Sequence, residues 1–390
     1  MGARNDKQNE YIISDESNTL PDITRIMESY YDLGRVDSVR KLSVGDSNFN
    51  YYLTLERDGE KINYFGQLYS TSKTLEELEY ELALREYYSR NSSSDMKCAQ
   101  ALPCRNGMHM VACRCAGTGY VRYFCVFDFL EGKALVRESW SCGKITPEII
   151  KGCAKAMALY HMGTVGYVPP ASVADVKGTY EQELAEYRRA FTDEFDRRRK
   201  GSSYEYYTYF GKCQPRLLEL LDRQTDLFRR IKSDLPFCIF HIDTSPQNYM
   251  FDENVQPVGI VDLDNSCYRP RILDLCWFIN EGLCRYDEKN RNNEIRTEDI
   301  LLLLRSYDDA IVRAGGGAPG KLTDTEKEHI MEIYELVSIH MGFYYIWDYI
   351  MHDNPSNTFA FNKYWGEWTM TALEYVEKNM QHIRDEICKS

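Results

Sequence analysis

Apolar residues recur at helical spacing in Pro21-Asp-Ile-Thr-Arg-Ile-Met-Glu-Ser-Tyr-Tyr-Asp-Leu33, which predicts a helix over about 21–33 ending at Gly34. The pattern then shortens. Val39 to Leu55 reads as a strand, a turn carrying Gly45, and a second strand, and Asp58-Gly59 marks a hairpin into a third strand over Lys61–Tyr69. Leu75, Leu78, Leu82 and Tyr88 return to one face of a helix over Leu75–Arg90. Two further strands follow at Ala101–Cys115 and Tyr120–Leu130. Beyond them the helical period dominates. Thr146-Pro147-Glu148 is a helix start leading to His161, and residues 176–235 are helical and charge-rich, with breaks expected at Gly201-Ser-Ser203 and Gly211. Helices are also expected at 297–314, 325–352 and 359–386, the first stopping at Gly315-Gly-Gly317 and the second near Asn354-Pro355. Strands cluster early and helices late, so the chain reads as α+β. Residues 1–20 are polar and aperiodic and are expected to form a flexible tail.

One stretch interrupts the helical part. Phe237-Cys-Ile-Phe240 leads into His241 and Asp243, Asn248 follows, and the apolar run Val258-Gly-Ile-Val261 ends on Asp262. This is a strand, a polar loop, a short strand, a turn on Asp252-Glu253-Asn254 and another strand. Asp243, Asn248 and Asp262 would converge at one end of a small sheet. Two carboxylates and an amide oxygen suit a hard cation such as Mg²⁺, which shares its oxygen ligands with phosphates. A carboxylate opening the loop can also orient an attacking hydroxyl or take its proton. A lone loop Asp is usually a cap or a solvated charge, but His-x-Asp-x-x-x-x-Asn followed by an apolar-flanked Asp is hard to obtain by chance.

Length and charge narrow the partners. The 390 residues allow two domains or one two-lobed domain, and 27% charged with 43% hydrophobic residues is ordinary for a globular chain. A net charge of −13 argues against a nucleic-acid backbone or an anionic membrane as main partner. No apolar run approaches the roughly 18 residues of a membrane span. No signal peptide is visible, and Cys113-Arg-Cys115 is the one close cysteine pair, so the 13 cysteines are expected to be reduced and mostly buried in a cytoplasmic protein. The run Arg197-Arg-Arg-Lys200 reads as a solvated face.

The loop spacing resembles that of the aminoglycoside phosphotransferase, choline kinase and homoserine kinase branch of the protein-kinase-like superfamily. Protein kinases write His-Arg-Asp, then Asn, then Asp-Phe-Gly. The small-molecule branch writes His-x-Asp-x-x-x-x-Asn and then an Asp with a polar residue two places on, as in His241-Ile-Asp243, Asn248 and Asp262-Leu-Asp264. The resemblance spans roughly residues 35–290 and is most specific over 237–264. It implies a two-lobed protein-kinase-like fold. An N-lobe over 21–131 would hold a small antiparallel sheet and one helix, and a larger, mainly helical C-lobe would take 132–390. Asp243 would be the catalytic carboxylate, and Asn248, Asp262 and Asp264 the metal contacts. His241 would brace the loop, His161 would be packed or capping, and Asp274, at a helix start, would be structural, in the place where the family has an Asp that braces the catalytic loop.

For the nucleotide, the resemblance implies that Gly45, Ser47 and Asn48 lie over the phosphates. Asp128, Phe129 and Leu130 belong to a stretch ending in Glu131-Gly132 whose backbone would read a purine edge. Glu81 matches the helix Glu that normally pairs with a strand lysine, but Gln67 stands where that lysine is expected. Gln67 cannot supply a positive charge, and a hydrogen bond between Gln67 and Glu81 is one way to complete the pair. The expected activity is transfer of a phosphoryl group from ATP or GTP, with Mg²⁺, to a hydroxyl of a small metabolite such as a sugar, amino alcohol or aminoglycoside. The alternative is a nucleotide-binding pseudokinase or interaction protein without turnover. Tyr204, Tyr206, Tyr207 and Tyr209, and separately Tyr344, Tyr345, Trp347 and Tyr349, are candidates for a pocket wall, with plain packing as the simpler reading.

Overall fold

The computed structural model describes residues 10–14, 18–42, 48–92, 96–200, 205–315, 320–352 and 359–389. The chain divides into two units. The first comprises Met1–Arg90, Lys97–Glu131 and Val168–Val176, and the second Asn91–Met96, Gly132–Tyr167 and Lys177–Ser390.

In the first unit, strands β1 (Glu10–Ile13), β2 (Arg35–Lys41), β3 (Phe49–Arg57) and β4 (Glu60–Leu68) precede the short β5 (Lys97–Cys98), β6 (Val111–Cys115) and β7 (Val121–Asp128). Six of them form a sheet in the order β1-β6-β7-β4-β3-β2. Asp58 and Gly59 close the β3–β4 hairpin with φ of 54° and 84°. Positive φ at both central residues matches the right-handed twist of the flanking strands. Neighbouring residues on a strand face opposite sides, so Phe124 and Cys125 enter different cores. Phe124 joins Tyr51, Leu53 and Leu55 under Ile23, Ile26 and Met27 of α1 (Leu20–Tyr30). Cys125 joins Tyr69 and Phe127 under Leu78 of α2 (Leu75–Asn91). Each fully buried side chain of this size contributes about 1.5–3 kcal/mol.

Four expectations are corrected here. Residues 1–20 do not remain a tail throughout, because β1 pairs in parallel with β6 and Ile13 is fully buried. The sheet is therefore mixed, not purely antiparallel. Two helices, not one, serve it. Asp22, in the first turn of α1, accepts from Tyr11 Oη (2.8 Å), Ser14 N (3.0 Å) and Ser14 Oγ (2.9 Å), which ties the segment after β1 to the helix start. The strand expected over Ala101–Cys115 is confined to Val111–Cys115, with Ala101 making one isolated bridge to Phe127.

The second unit is mainly helical. It holds α3 (Pro147–Gly163), α4 (Tyr180–Arg189), α5 (Phe195–Arg199), α6 (Glu205–Ile231), α7 (Ile272–Phe278), α8 (Thr297–Arg313), α9 (Asp324–His352) and α10 (Phe359–Lys389). Thr146 caps α3 by accepting from Ile149 N, as its Thr-Pro start implies. Gly211 does not break a helix: α6 runs through it, and a Cβ there would lie 2.9 Å from the Arg199 guanidinium. Glycine at this position makes room for a neighbouring side chain. Arg197 and Arg199 pair with Glu194 and Asp196, as a solvated face would. Tyr204 lies outside the described residues, as do the side chains of Tyr206, Tyr209, Tyr344, Tyr345, Trp347 and Tyr349, while Tyr207 packs against Phe195.

Small strands carry the remaining backbone. β8 (Lys133–Ala134) and β11 (Pro257–Ile260) flank β10 (Tyr249–Phe251), and β9 (Phe237–Phe240) pairs antiparallel with β12 (Cys267–Pro270). The β10–β11 turn sits close on α3. A Cβ on Gly152 would lie 2.6 Å from the Val255 carbonyl oxygen, so only glycine permits this approach without displacing backbone.

Candidate active site

The site of the second unit is built from strand ends. Asp243 follows β9, Asn248 immediately precedes β10, Asp262 and Asp264 follow β11, and Cys267 of β12 pairs with Phe240 of β9. Tyr249 opposes Ile260, which sets Asn248 beside Val261. The four sequence candidates of this unit therefore gather at one end of two small strand pairs.

The bonds of the loop specify its shape. Asp274, fully buried in the first turn of α7, accepts from the His241 backbone N–H at Oδ2 (2.9 Å) and from the Ile242 backbone N–H at Oδ1 (3.0 Å). Its own carbonyl accepts from the Thr244 hydroxyl (3.0 Å). One residue thus holds the chain on both sides of Asp243. Ile242 is kept at φ 76° and Asp262 at φ 61°. For a β-branched residue such a φ is a genuine outlier that persists only where its surroundings over-determine it. His241 Nε2 donates to the Val261 carbonyl (2.9 Å), and Val261 N donates to the Asn248 carbonyl (3.0 Å). The histidine accordingly ties the Asp243 loop to the turn bearing Asp262. His161, also fully buried, bonds Asp274 and does not reach toward Asp243.

Around Asp243 itself, the Ser245 hydroxyl donates to Oδ1 (2.7 Å). The Asn248 side-chain nitrogen donates to the Asp243 carbonyl (3.0 Å), which leaves the amide oxygen as an acceptor. Among the described residues no three His, Cys, Asp or Glu side chains gather as a cation cage. A cation here would be held by the amide oxygen of Asn248, the carboxylates of Asp262 and Asp264, and oxygens of a ligand. That all-oxygen set fits Mg²⁺, which keeps several non-protein oxygens.

Two residues that sequence reasoning did not find belong to this region. Burial, and then the negative charge of Asp243, push the Glu281 carboxyl from 4.5 up to about 8, with the Arg137 guanidinium working against them. Glu281 lies in a π-helical turn, Ile279–Leu283, directly after α7. The Lys177 ammonium donates to the Asp264 carbonyl (3.0 Å), 87 residues away in sequence. Between His241 and Asp264 the chain has no Lys or Arg, so tertiary structure delivers this cation. No spacing rule links either residue to the loop.

The first unit treats its candidates differently. Gly45 and Ser47 lie outside the described residues. Asn48 Oδ1 accepts from Ser70 N (2.9 Å), fixing the end of the β3–β4 pair. Gln67 is buried on β4, opposite Asn50 and Cys125. Glu81 does not bond to Gln67: it accepts from Tyr69 Oη (3.0 Å) and from Arg85 (2.7 and 2.8 Å), one turn further along α2. Arg85 also donates to the Ala99 carbonyl (3.2 Å) and lies over the Phe127 ring. Burial alone would lower the pKa of this guanidinium, yet the Glu81 charge beside it leaves it above its ordinary value. Thus the Glu expected to meet a strand lysine is neutralised within its own helix. Asp128 is turned to the Gln100 segment, its carboxylate accepting from Gln100 N (2.5 Å) and its N–H donating to Gln100 O (3.0 Å). Phe129 is partly exposed and stands edge-on to Tyr52, and Leu130 packs against the core under α2.

Solved structures share this architecture. An amicoumacin kinase in complex with AMP-PNP, Ca²⁺ and Ami has a TM-score of 0.61 at 13% identity, covering 96% of this chain and 93% of that one. A microcompartment-associated aminopropanol kinase gives 0.60 at 14%, with 93% and 98% covered. A choline kinase from Cryptosporidium parvum Iowa II gives 0.58 at 14%, with 93% and 97% covered. At this identity the likeness establishes the fold, which is the α+β kinase architecture that the resemblance implied. No curated protein sequence shows significant similarity. Residues 38–310 match the phosphotransferase enzyme family, and the chain belongs to it. Among the described residues no helix is long and apolar enough to cross a membrane.

Proposed function

We propose that this phosphotransferase moves the γ-phosphoryl group of ATP, or of GTP, to a hydroxyl of a small metabolite, with Asp243 as the catalytic carboxylate. The observation that carries the reading is the grip of Asp274 on the backbone at both sides of Asp243, together with Asn248 folded back onto the Asp243 carbonyl. Such pre-organisation suits a reaction in which the protein mainly positions reactants. Ser245 occupies Oδ1 of Asp243, leaving Oδ2 to accept from the acceptor hydroxyl. As the hydroxyl oxygen bonds to the γ-phosphorus, the bond from phosphorus to the β–γ bridging oxygen breaks and the nucleoside diphosphate departs. The hydroxyl proton passes to Asp243. Asn248, Asp262 and Asp264 would hold Mg²⁺, which when bound neutralises charge on the phosphates. In the first unit, Gln67 and the backbone of Phe129 and Leu130 are the candidates for nucleotide contacts, along with Gly45 and Ser47. Asn48, Glu81 and Asp128, the other candidates, also bond within the unit itself.

Glu281 favours an acceptor that carries an amine. The Glu281 carboxyl, pushed up to about 8 by burial and by the charge of Asp243, would be drawn into its ionised form by an incoming ammonium group, and an amino alcohol would offer both that cation and the reacting hydroxyl. The structural relatives named for aminopropanol and choline point the same way.

The test is nucleotide consumption by purified protein against a panel of amino alcohols, aminoglycosides and sugars, for the parent and Asp243→Asn. Turnover should fall by about 10²–10⁴-fold in the variant, the usual contribution of a positioned acid or base, while nucleotide binding persists. Asp243→Asn within a few-fold of the parent would remove the residue from this role. Nucleotide binding without turnover across the panel would leave a binding protein.

A further inference from the structure

Behind the loop lies a buried chain of side chains that the proposed chemistry does not touch. Fully buried Tyr307, on α8, places its hydroxyl 2.8 Å from His161 Nδ1 on α3, and His161 Nε2 lies 2.9 Å from Asp274 Oδ2 on α7. Three helices meet in one line of polar atoms that ends on the loop carrying Asp243. We propose that Tyr307 and His161 are positioning residues for Asp243: the Tyr307 hydroxyl fixes which ring nitrogen of His161 carries the proton, and His161 thereby aims the Asp274 carboxylate at the loop backbone. This inference rests on the reading of Asp243 as the catalytic carboxylate.

The hydrogen positions follow from the partners. Asp274 Oδ2 already accepts the His241 N–H, and Oδ1 accepts the Ile242 N–H. The contact from His161 is attractive when Nε2 bears the hydrogen. In the neutral ring Nδ1 is then an acceptor, and the Tyr307 hydroxyl donates to it. Without that hydroxyl, Nδ1 becomes a buried acceptor with no donor. The competing tautomer would turn a lone pair of Nε2 against a carboxylate. Either outcome loosens or rotates Asp274, and with it the bonds that hold Ile242 at φ 76° next to Asp243.

The Tyr307 ring is also anchored by packing. The Arg271 guanidinium stands 5.7 Å from its ring centroid and is paired with Glu326 (2.7 and 2.8 Å), both side chains being fully buried. Glu326 belongs to the first turn of α9 and also accepts from Thr323 N (2.8 Å). Tyr307→Phe keeps the ring packing and deletes the hydroxyl, whose other neighbour is the Arg271 guanidinium, so reading Tm beside amide exchange separates the proposed role from general support of the core.

The experiment has two readouts on the full chain. Amide hydrogen exchange at His241 and Ile242 is measured in the parent and in Tyr307→Phe without substrate, and kcat and KM are measured with an accepted alcohol. Exchange at these two amides should speed up about three- to tenfold while Tm stays close to the parent's, and kcat should fall about three- to tenfold with both KM values within about twofold, the effect of one net hydrogen bond on an equilibrium or a barrier. His161→Gln and His161→Leu give a second comparison. The Gln amide can donate to Asp274 and accept from Tyr307, so it should protect both backbone amides better than Leu does. Unchanged exchange in Tyr307→Phe, or Gln and Leu behaving alike, overturns the inference. Faster exchange with unchanged kcat also overturns it as a device of catalysis. If the parent transfers no phosphoryl group while exchange responds as expected, the positioning of the loop stands and the catalytic reading of Asp243 fails instead.

Discussion

Glu281 and Arg85 illustrate how burial makes a single charge consequential. The folded-state pKa of Glu281, about 8, lies above its ordinary 4.5. Its contribution to stability is therefore fully present below about 4.5 and is lost as pH rises through about 8, where the carboxylate ionises beside Asp243. Glu281→Gln removes that loss. The Tm difference between variant and parent should grow in the variant's favour from pH 5 to pH 9, as measured by thermal melts across that range. A difference independent of pH would contradict the placement of Glu281. Arg85 presents the converse case. Removing one partner of a buried ion pair strands the other, and Arg85→Met should cost about 3–5 kcal/mol by leaving Glu81 uncompensated. Denaturant unfolding of the full chain measures this. A loss below about 1 kcal/mol, the usual limit for an exposed pair, would indicate that solvent reaches Glu81. The sequence pointed to Glu81 through its place in α2 but could not reveal that Arg85, one turn away, takes the lysine's part. Many helices carry Glu and Arg four residues apart on a solvated face, and only burial between α2 and the sheet distinguishes this pair.

Among the elements, α3 and the β10–β11 hairpin depend on each other most directly. Lys155 Nζ donates to Gln256 Oε1 (3.0 Å) across their contact, and Gly152 leaves the space into which the Val255 carbonyl fits. Gly152→Ala puts a methyl group 2.6 Å from that oxygen. Better helix propensity would favour alanine by about 1 kcal/mol, whereas overpacking against backbone typically costs about 1–3 kcal/mol. Net destabilisation is expected, with a displaced hairpin that disturbs Asn248 and Asp262 at its open end. A melt combined with a turnover assay checks this, and a more stable, fully active Gly152→Ala would show that the hairpin yields freely. The helix and strand periods that announced most of these elements were legible because each buries one face. β1 was missed because Glu10-Tyr-Ile-Ile13 is too short for a period and acquires its meaning from β6, about 100 residues away.

Across the whole molecule, no disulfide joins any of the 13 cysteines, and only Cys142 and Cys388 are exposed. Titration with a thiol reagent should find about two fast-reacting groups in the native protein, a slower partly exposed Cys213, and all 13 after unfolding without reductant. A lower total would reveal disulfides. The acidic balance, the early strands, the late helices and the spacing of His241, Asp243, Asn248 and Asp262 are properties of the sequence alone. The order of strands and helices carries the α+β architecture, and the loop motif was legible because it is local: its residues lie within 22 positions of one another and are aligned by short strands. The tertiary structure decided what surrounds it. The resemblance already singled out Asp274, but His161 and Tyr307 behind it, Lys177 at Asp264 and Glu281 near Asp243 come from distant segments, and no periodicity links them. Their roles follow from burial, where a polar atom must find a partner, and the partner's identity is fixed only when the helices pack.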